Sequence, residues 1–253
     1  MKHFLLFALF FWNSIFYSST IAQQLPFGVG EKITFEIKYG FINAGSAVLS
    51  IPSYYYINGN ETFQVLFTVR SNSAFDLIYK VRDSYQTFID SKGIFSRKFD
   101  QNISEGKFKR SYSADLYPEE GYARTLTGEY KIDPNTQDIL SAFFYIRSIK
   151  FENLKIGSRI KLKNFYRDKL HSLDVIYTGK QQIQVDAGKF DCVVVEPVIM
   201  AGGLFRSEGR VLLYLTDDER RLPVRVETKI VIGSVVADLT SYSGLNGELK
   251  SKK

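Results

Sequence analysis

The stretch DPNTQDILSAFFYIRSIKF, residues 133–151, decides the fold that we predict for this chain. It opens with a turn at 133–135, and apolar residues then recur at helical spacing, at Ile139, Ala142, Phe143, Ile146 and Ile149. Leu140 and Phe144 lie on another side, so the predicted helix is apolar over much of its circumference. A helix of this kind has to be covered on all sides. In a chain that is otherwise β, the simplest cover is a curved sheet that wraps around the helix.

The rest of the chain alternates between apolar and polar residues, as half-buried strands do. Clear examples are KITFEIKY at 32–39, ETFQVLFTVRS at 61–71 and KFKRSYSADLY at 107–117. Turn-forming residues recur between such stretches, which is typical of an antiparallel meander. Further strands are predicted near 158–165, 169–177, 179–186, 189–199, 209–216, 222–232 and 234–243, and a second short helix or turn is predicted within 71–81.

These patterns predict a mainly β fold, in which a single antiparallel curved sheet or half-barrel wraps around one or two helices. No linker, internal repeat or low-complexity segment divides the sequence, apart from its lysine-rich end. We therefore predict one β-rich domain over 23–245 and a basic tail over 246–253. Aromatic residues make up 15% of the sequence and can supply a large core, because each buried ring removes a large apolar area from water.

The first 22 residues have the pattern of a secretory signal peptide. A basic start at Lys2 precedes an apolar run over 4–11, and the small residues at 20–22 suit a signal peptidase that cuts after Ala22. The alternative is a retained membrane anchor, but the apolar run is short for a span of about 20 residues. No later segment is predicted to cross a bilayer. An exported protein whose single cysteine is Cys192 has no internal disulfide.

The charged stretch YLTDDERRLPVRVE, residues 214–227, raises the question of a metal or active site. Alternating apolar residues precede and follow it, so Asp217 to Arg221 are predicted to occupy a connection between two antiparallel strands. The alternating acidic spacing of a calcium loop is absent. We therefore predict a turn whose charges are exposed to solvent, and we predict no metal site.

No other motif predicts catalysis or a cofactor. After removal of the signal peptide the single histidine is His171, which cannot form a histidine-rich zinc site. No nucleophile elbow or phosphate-binding loop is present. Cys192 begins a continuous apolar run and is predicted to be a small buried side chain. We predict no catalytic residues, although a pair of carboxylates brought together by the fold stays open, because their separation is a spatial property.

The formal net charge of +6 is spread along the chain rather than concentrated on one face. The basic residues at 159–163 alternate with apolar ones, which indicates a solvated strand face. Nucleic-acid binding would need a concentrated basic face and is not predicted. Contact of this strand with anionic lipid headgroups is a minor alternative.

Four stretches resemble a family of exported bacterial proteins, the Domain of Unknown Function 3108 family. They are PFGVGEKITFEIKYGFINAGSAVL at 26–49, DILSAFFYIRSI at 138–149, AGKFDCVVVEP at 187–197 and the most specific one, GGLFRSEGRVLLYLTDDERRLPVRVETKIVIGSVVADL at 202–239. The resemblance implies an envelope protein of a diderm bacterium, located in the periplasm, and a shape similar to the periplasmic lipoprotein carriers. It implies no established reaction and gives no catalytic residues to carry over.

The leading functional hypothesis is a non-enzymatic protein that holds a lipid or another hydrophobic ligand inside the curved sheet. Phe143, Phe144 and Ile146 on the predicted helix are the residues expected to line such a cavity. A filled interior that binds nothing fits the alternation equally well. Two alternatives stay open: an envelope assembly factor that contacts a protein partner through sheet edges or the 217–221 loop, and a hydrolase that uses carboxylates on the concave face.

Overall fold

The computed structural model describes residues 25–199, 210–229 and 234–253. The predicted signal peptide lies outside these residues, as do the beginning of the strand predicted at 209–216 and the end of the one predicted at 222–232. The described residues form fourteen strands and two helices. The helices are α1 (Ser73–Asp76) and α2 (Ile139–Arg147). The strands are β1 (Lys32–Tyr39), β2 (Ile42–Ile57), β3 (Asn60–Ser71), β4 (Arg82–Asp90), β5 (Ser96–Glu105), β6 (Phe108–Tyr117), β7 (Tyr122–Thr125), β8 (Gly128–Lys131), β9 (Arg159–Tyr166), β10 (Lys169–Val185), β11 (Gly188–Ile199), β12 (Val211–Thr216), β13 (Pro223–Lys229) and β14 (Ser234–Ser243).

All fourteen strands belong to one antiparallel sheet with the order β8-β7-β6-β5-β4-β3-β2-β1-β14-β13-β12-β11-β10-β9. Neighbours in the sheet are also neighbours in sequence, except that β1 pairs with β14 at the centre. The two edge strands, β8 and β9, are not joined by a ladder of hydrogen bonds, so the sheet is curved without closing into a barrel. The predicted fold class, a single antiparallel curved sheet around one or two helices, is confirmed.

The position of α2 follows from this strand order. The connection from β8 to β9 has to run from one edge of the sheet to the other, and it carries α2 across the concave face. Asp138 caps the helix: its carboxylate accepts hydrogen bonds from the backbone N–H groups of Leu140 (2.7 Å) and Ser141 (3.0 Å). The Ser141 hydroxyl accepts in return from the Asp138 N–H (2.8 Å), which completes a capping box.

The helix is buried on several sides, as its sequence predicts. Leu140 and Phe144 belong to the largest core cluster, together with side chains of β1, β2 and β3. Ala142 and Ile146 belong to a second cluster, with side chains of β10, β11 and β12. Helix α2 therefore fills part of the space between the two halves of the sheet. None of the helices within the described ranges has the length and apolarity needed to span a bilayer.

The two edges of the sheet approach each other through side chains and a short stretch of chain. Phe165 of β9 packs in a third core cluster with Ala114 and Leu116 of β6 and Ala123 of β7. The residue before the helix cap, Gln137, pairs with β9: its N–H donates to the Lys163 carbonyl (2.8 Å), and its carbonyl accepts from the Phe165 N–H (2.8 Å). These contacts cover part of an edge strand that would otherwise be unpaired.

Two elements differ from the sequence prediction. The strands predicted at 169–177 and 179–186 are one long strand, β10, with a shift of register between Tyr177 and Gly179. Gly179 has φ of +120°, a conformation that glycine adopts readily, so the strand bends here without ending. The basic tail is packed rather than separate. Ser251 is buried, and Lys252 forms a bridge with Phe190 of β11.

Candidate functional site

A cavity of about 430 Å³ lies between α2 and the concave face of the sheet. Side chains of strands from both halves of the sheet surround it, and most of them are apolar. The lining residues are Phe35, Leu49, Phe67, Tyr85, Gln101, Ile103, Arg110, Ile139, Leu140, Ala142, Phe143, Ile146, Asn164, Tyr166, Leu173, Val175, Pro197, Val211, Leu213, Pro223, Val226 and Thr228. Several of them, including Phe67, Tyr85 and Phe143, are only half-buried, so the cavity communicates with solvent.

The structure separates the three helix residues that the sequence singles out. Phe143 and Ile146 line the cavity. Phe144 does not: it is fully buried and packs edge-on against Phe27, with ring centroids 4.7 Å apart. The reason is helical geometry, because adjacent residues point about 100° apart around the axis. Phe144 therefore supports the wall that Phe143 and Ile146 present to the cavity.

One side of the cavity carries polar groups that the sequence analysis missed. Arg110 of β6 donates through Nη2 to the Tyr166 hydroxyl (2.7 Å), and that hydroxyl donates to Oε1 of Gln101 (3.1 Å). Nε of Arg110 is buried and has no hydrogen-bond partner among the described residues. A sequence signal was present: Arg110 occupies the same face of its strand as Tyr112, Ala114 and Leu116, where an arginine interrupts an apolar row.

Two carboxyl groups also meet on the concave face, outside the cavity lining. Burial and the neighbouring Asp83 raise the pKa of Glu105, while the charge of Arg110 acts in the opposite direction. Asp83 accepts a hydrogen bond from the backbone N–H of Ser104 (2.9 Å). The described residues that line the cavity include no aspartate or glutamate. The cavity wall itself therefore offers apolar surface, amide, hydroxyl and guanidinium groups, and no acid that could serve as a base there.

A buried ion pair fixes the end of α2. Arg147 donates from Nη1 to Oε1 of Glu31 (2.6 Å) and from Nη2 to Oε2 (2.9 Å), and both side chains are at most 1% exposed. Nε of Arg147 also donates to the backbone carbonyl of Arg221 (3.2 Å). The guanidinium lies over the rings of Phe27 and Phe144, at 5.3 and 5.1 Å from their centroids. The helix, the start of β1 and the 217–221 loop are thus held together.

The acid–arginine loop is a connection between β12 and β13, as predicted, but the prediction that its charges are exposed is wrong for three of its five charged residues; Glu219 is exposed and Asp217 is partly exposed. Asp218, Arg220 and Arg221 are buried. Asp218 accepts from the hydroxyls of Thr216 (2.8 Å) and Ser251 (2.7 Å), so the C-terminal tail covers it. Arg221 pairs with Glu152 (2.6 Å). These partners are distant in sequence, which is why the sequence did not reveal the burial.

The contacts of Asp218 are those of a structural loop. The Asp218 carboxylate is occupied by protein donors on both oxygens. No group of three or more metal-ligating side chains occurs within the part of the chain that the structure describes. With most of its charged groups buried, the loop also offers little surface to a protein partner.

The two remaining candidate residues do not belong to the cavity lining. Cys192 is fully buried in β11 among core side chains, and burial raises the pKa of its thiol to about 12. Nε2 of His171 on β10 lies 3.2 Å from the backbone carbonyl of Tyr166.

Three solved structures with a similar course of chain are distant in sequence. A beta-barrel-like protein of domain of unknown function DUF1849 from Brucella abortus aligns with a TM-score of 0.56 and 13% identity, over 88% of this chain and 99% of that one. A candidate exported protein with a YmcC-like fold from Bacteroides fragilis aligns with a TM-score of 0.39 and 12% identity, over 87% of this chain and 98% of that one. A candidate lipoprotein from Parabacteroides distasonis aligns with a TM-score of 0.40 and 9% identity, over 87% of this chain and 97% of that one. The first of these supports a shared fold and nothing about function.

The sequence comparisons place the chain in a family. A search of curated proteins gave no significant match. The model of the family described as "Protein of unknown function (DUF3108)" matches residues 34–240, which cover all strands from β1 to β14 except the outermost residues of the first and last. The family resemblance seen in the sequence is thereby confirmed, and the chain belongs to the DUF3108 family.

Proposed function

We propose that this protein is an exported, non-enzymatic protein of the bacterial envelope that holds a lipid or another hydrophobic ligand between α2 and the sheet. One observation carries the proposal: the space beside the helix is an open cavity with an apolar wall rather than a filled core. Its volume of about 430 Å³ lies within the range of roughly 300–1,000 Å³ that is usual for small-molecule sites.

The chemistry of the wall favours a chain-like apolar ligand. Phe143 and Ile146 of α2 face aliphatic and aromatic side chains of both sheet halves across the cavity. Each methylene group that moves from water into such a space contributes about 0.8 kcal/mol. An acyl chain gains this binding free energy for each methylene group along its length. A polar metabolite would instead leave most of its hydrogen-bonding groups without partners.

The direct test is uptake of a fluorescent fatty acid by the purified protein and by the variant Phe143→Asp. We expect the wild type to bind the probe and the variant to lose at least about ten-fold in affinity, because a carboxylate then faces the apolar wall. The matched control is Leu126→Asp, which places the same charge at a fully exposed apolar side chain in the β7–β8 turn. A folded Phe143→Asp protein with unchanged uptake would contradict the proposal.

Export and occupancy are tested by native mass spectrometry of protein purified gently from the envelope fraction, with lipid extraction of the same sample. We expect a polypeptide mass that begins at Gln23 and an additional species of lipid mass. A polypeptide that keeps residues 1–22 would contradict export by a cleaved signal peptide. An envelope protein that is empty in every preparation, and that also fails to take up the fluorescent probe, would leave the scaffold interpretation in place of the ligand-binding one.

A further inference from the structure

Three neighbouring connections at one end of the sheet expose large apolar side chains. They are the β1–β2 turn, the segment between β3 and β4 that contains α1, and the β5–β6 turn. We call this set of side chains the apolar tip. Its members and their exposed fractions are Phe41 (97%), Ile42 (52%), Leu77 (89%), Ile78 (81%) and Phe108 (50%). Scattered apolar residues are normal on a surface, but a contiguous group of this kind marks an interaction site.

Hydrogen bonds hold the three connections side by side. The Asn72 side chain donates to the backbone carbonyl of Asn43 (2.8 Å), which joins the α1 segment to the start of β2. On the other side, the Gly106 N–H donates to the Lys80 carbonyl (2.8 Å). The Tyr79 hydroxyl donates to the Glu105 carbonyl (3.3 Å). The apolar tip is therefore a built surface rather than a set of independent loop ends.

The exposed charged side chains beside the apolar tip are positive, whereas Asp83 is buried and Glu105 is partly buried. Lys80, Lys107 and Lys109 are exposed beside the apolar tip. Two nearby acids are already paired within the protein: Asp76 with Arg82 (2.5 Å) and Glu36 with Lys38 (2.8 Å). Apolar side chains flanked by lysines are the combination that binds a bilayer with anionic headgroups, because the former enter the acyl boundary and the latter meet the phosphates.

Part of the cavity lining lies in the same half of the sheet as the apolar tip. Phe67, Tyr85 and Arg110 line the cavity, and each lies close to the strand end that adjoins the apolar tip: β3 ends at Ser71, β4 begins at Arg82 and β6 begins at Phe108. We propose that the apolar tip docks this protein on a membrane surface that carries anionic lipids. This docking is independent of the ligand-binding proposal, because an empty protein would dock in the same way.

The test is co-sedimentation of envelope-purified protein with vesicles of phosphatidylcholine alone or with about a third phosphatidylglycerol. We expect the wild type to sediment with the anionic vesicles. The double variant Leu77→Ser/Ile78→Ser should lose at least about ten-fold in partition coefficient, because both side chains would leave the acyl boundary. Replacing Lys80, Lys107 and Lys109 by glutamine should lower the partition onto anionic vesicles by a similar factor and leave neutral vesicles unaffected.

The matched control is Leu126→Ser/Ile156→Ser. These side chains are 102% and 75% exposed, so the change in total surface hydrophobicity is equivalent, and neither belongs to the three connections that form the apolar tip. This control should sediment like the wild type, and thermal melts verify that each variant is folded. The proposal is overturned if wild-type protein stays in the supernatant with anionic vesicles, as expected of a tip that contacts another protein, or if the control loses as much binding as the tip variant.

Discussion

At the residue scale, the Glu31–Arg147 pair is the contact whose loss should cost most. Both charges are removed from water, and each is satisfied only by the other and by nearby backbone. Removing one partner leaves a buried charge without compensation, which typically destabilises by about 3–5 kcal/mol. We expect Arg147→Met and Glu31→Gln each to lower the free energy of unfolding by this amount, measured from denaturant midpoints.

The double variant and a surface pair provide the controls for this prediction. Combining Glu31→Gln with Arg147→Met should cost clearly less than the sum of the single changes, since no unpaired charge remains. Breaking the exposed Arg124–Glu129 pair by Arg124→Met should leave the denaturant midpoint nearly unchanged, because solvent screens this pair. Equal effects from the exposed and the buried pair would show that the buried one does not fix α2 in the way described.

The residue scale also marks the limit of what the sequence reveals about the site. Alternation and helical spacing identify α2 as buried, but a helix that is apolar all round does not indicate which face meets core and which meets cavity. Phe143 and Phe144 are adjacent and identical, yet one lines the cavity and the other packs on Phe27. Arg110 interrupts the apolar row of its strand in the sequence, but its contact with Tyr166 could be recognised only once the fold brings β6 and β9 together.

At the element scale, the capping box at Asp138 should decide how firmly α2 is placed. Its carboxylate accepts from two helix N–H groups and also from the Thr87 hydroxyl of β4. We expect Asp138→Ala to destabilise the protein by about 1–2 kcal/mol from the lost cap. The Thr87 hydroxyl also loses this acceptor and keeps only its longer hydrogen bond to the Lys98 carbonyl (3.2 Å), which adds to the loss. Uptake of the fluorescent probe should weaken in parallel, because α2 forms one wall of the cavity.

The conservative change Asp138→Asn separates these effects. An amide oxygen can still accept from the helix N–H groups, so most of the stability and uptake should be retained. A second control is Asn72→Ala, which removes the cap of the four-residue helix α1 on the surface and should leave probe uptake unchanged. If Asp138→Ala were as stable as the wild type, the cap would not determine the position of α2.

The elements themselves were largely predictable, and the exceptions have physical causes. Strands with one solvent-exposed face are recognisable in the sequence by period-two alternation. The bounds of β1, β3, β6 and β9 therefore agree with the predicted bounds to within a residue or two. The bend in β10 resembles a turn in sequence because both use glycine. The burial of the 217–221 loop could not be predicted, since it depends on Ser251 and Glu152, which are far away along the chain.

At the scale of the whole molecule, Cys192 is a natural reporter of global opening. Its strand lies in the interior of the sheet, and core side chains cover it on both faces. Burial raises its thiol pKa to about 12, so almost no thiolate exists in the native state at pH 8. We expect no reaction with a disulfide reagent on the timescale of minutes in buffer, and complete reaction of one thiol after unfolding in denaturant.

Labelling at intermediate denaturant should then follow the unfolding curve measured by circular dichroism, because we expect an interior strand that is buried on both faces to be exposed only by global unfolding. The destabilised Arg147→Met variant should be labelled faster than the wild type by the factor that its stability loss dictates. Rapid labelling of the native wild type would mean that the core around β11 opens by itself, which would contradict the single cooperative sheet.

The pairing of β1 with β14 determines when the centre of the sheet can form, because the two strands lie near opposite ends of the chain. The hydrogen bond between Thr34 and Thr240 joins residues 206 positions apart. At a synthesis rate of roughly 5–20 residues per second, the first strand waits on the order of ten to forty seconds for its central partner. Until then β2 to β8 can assemble beside it. The other edge of β1 keeps unpaired backbone N–H and C=O groups, which can pair with a strand of another chain. The partly synthesised chain therefore has to be protected from pairing with other chains at this edge of β1. The risk of misassembly ends only when β14 pairs with β1.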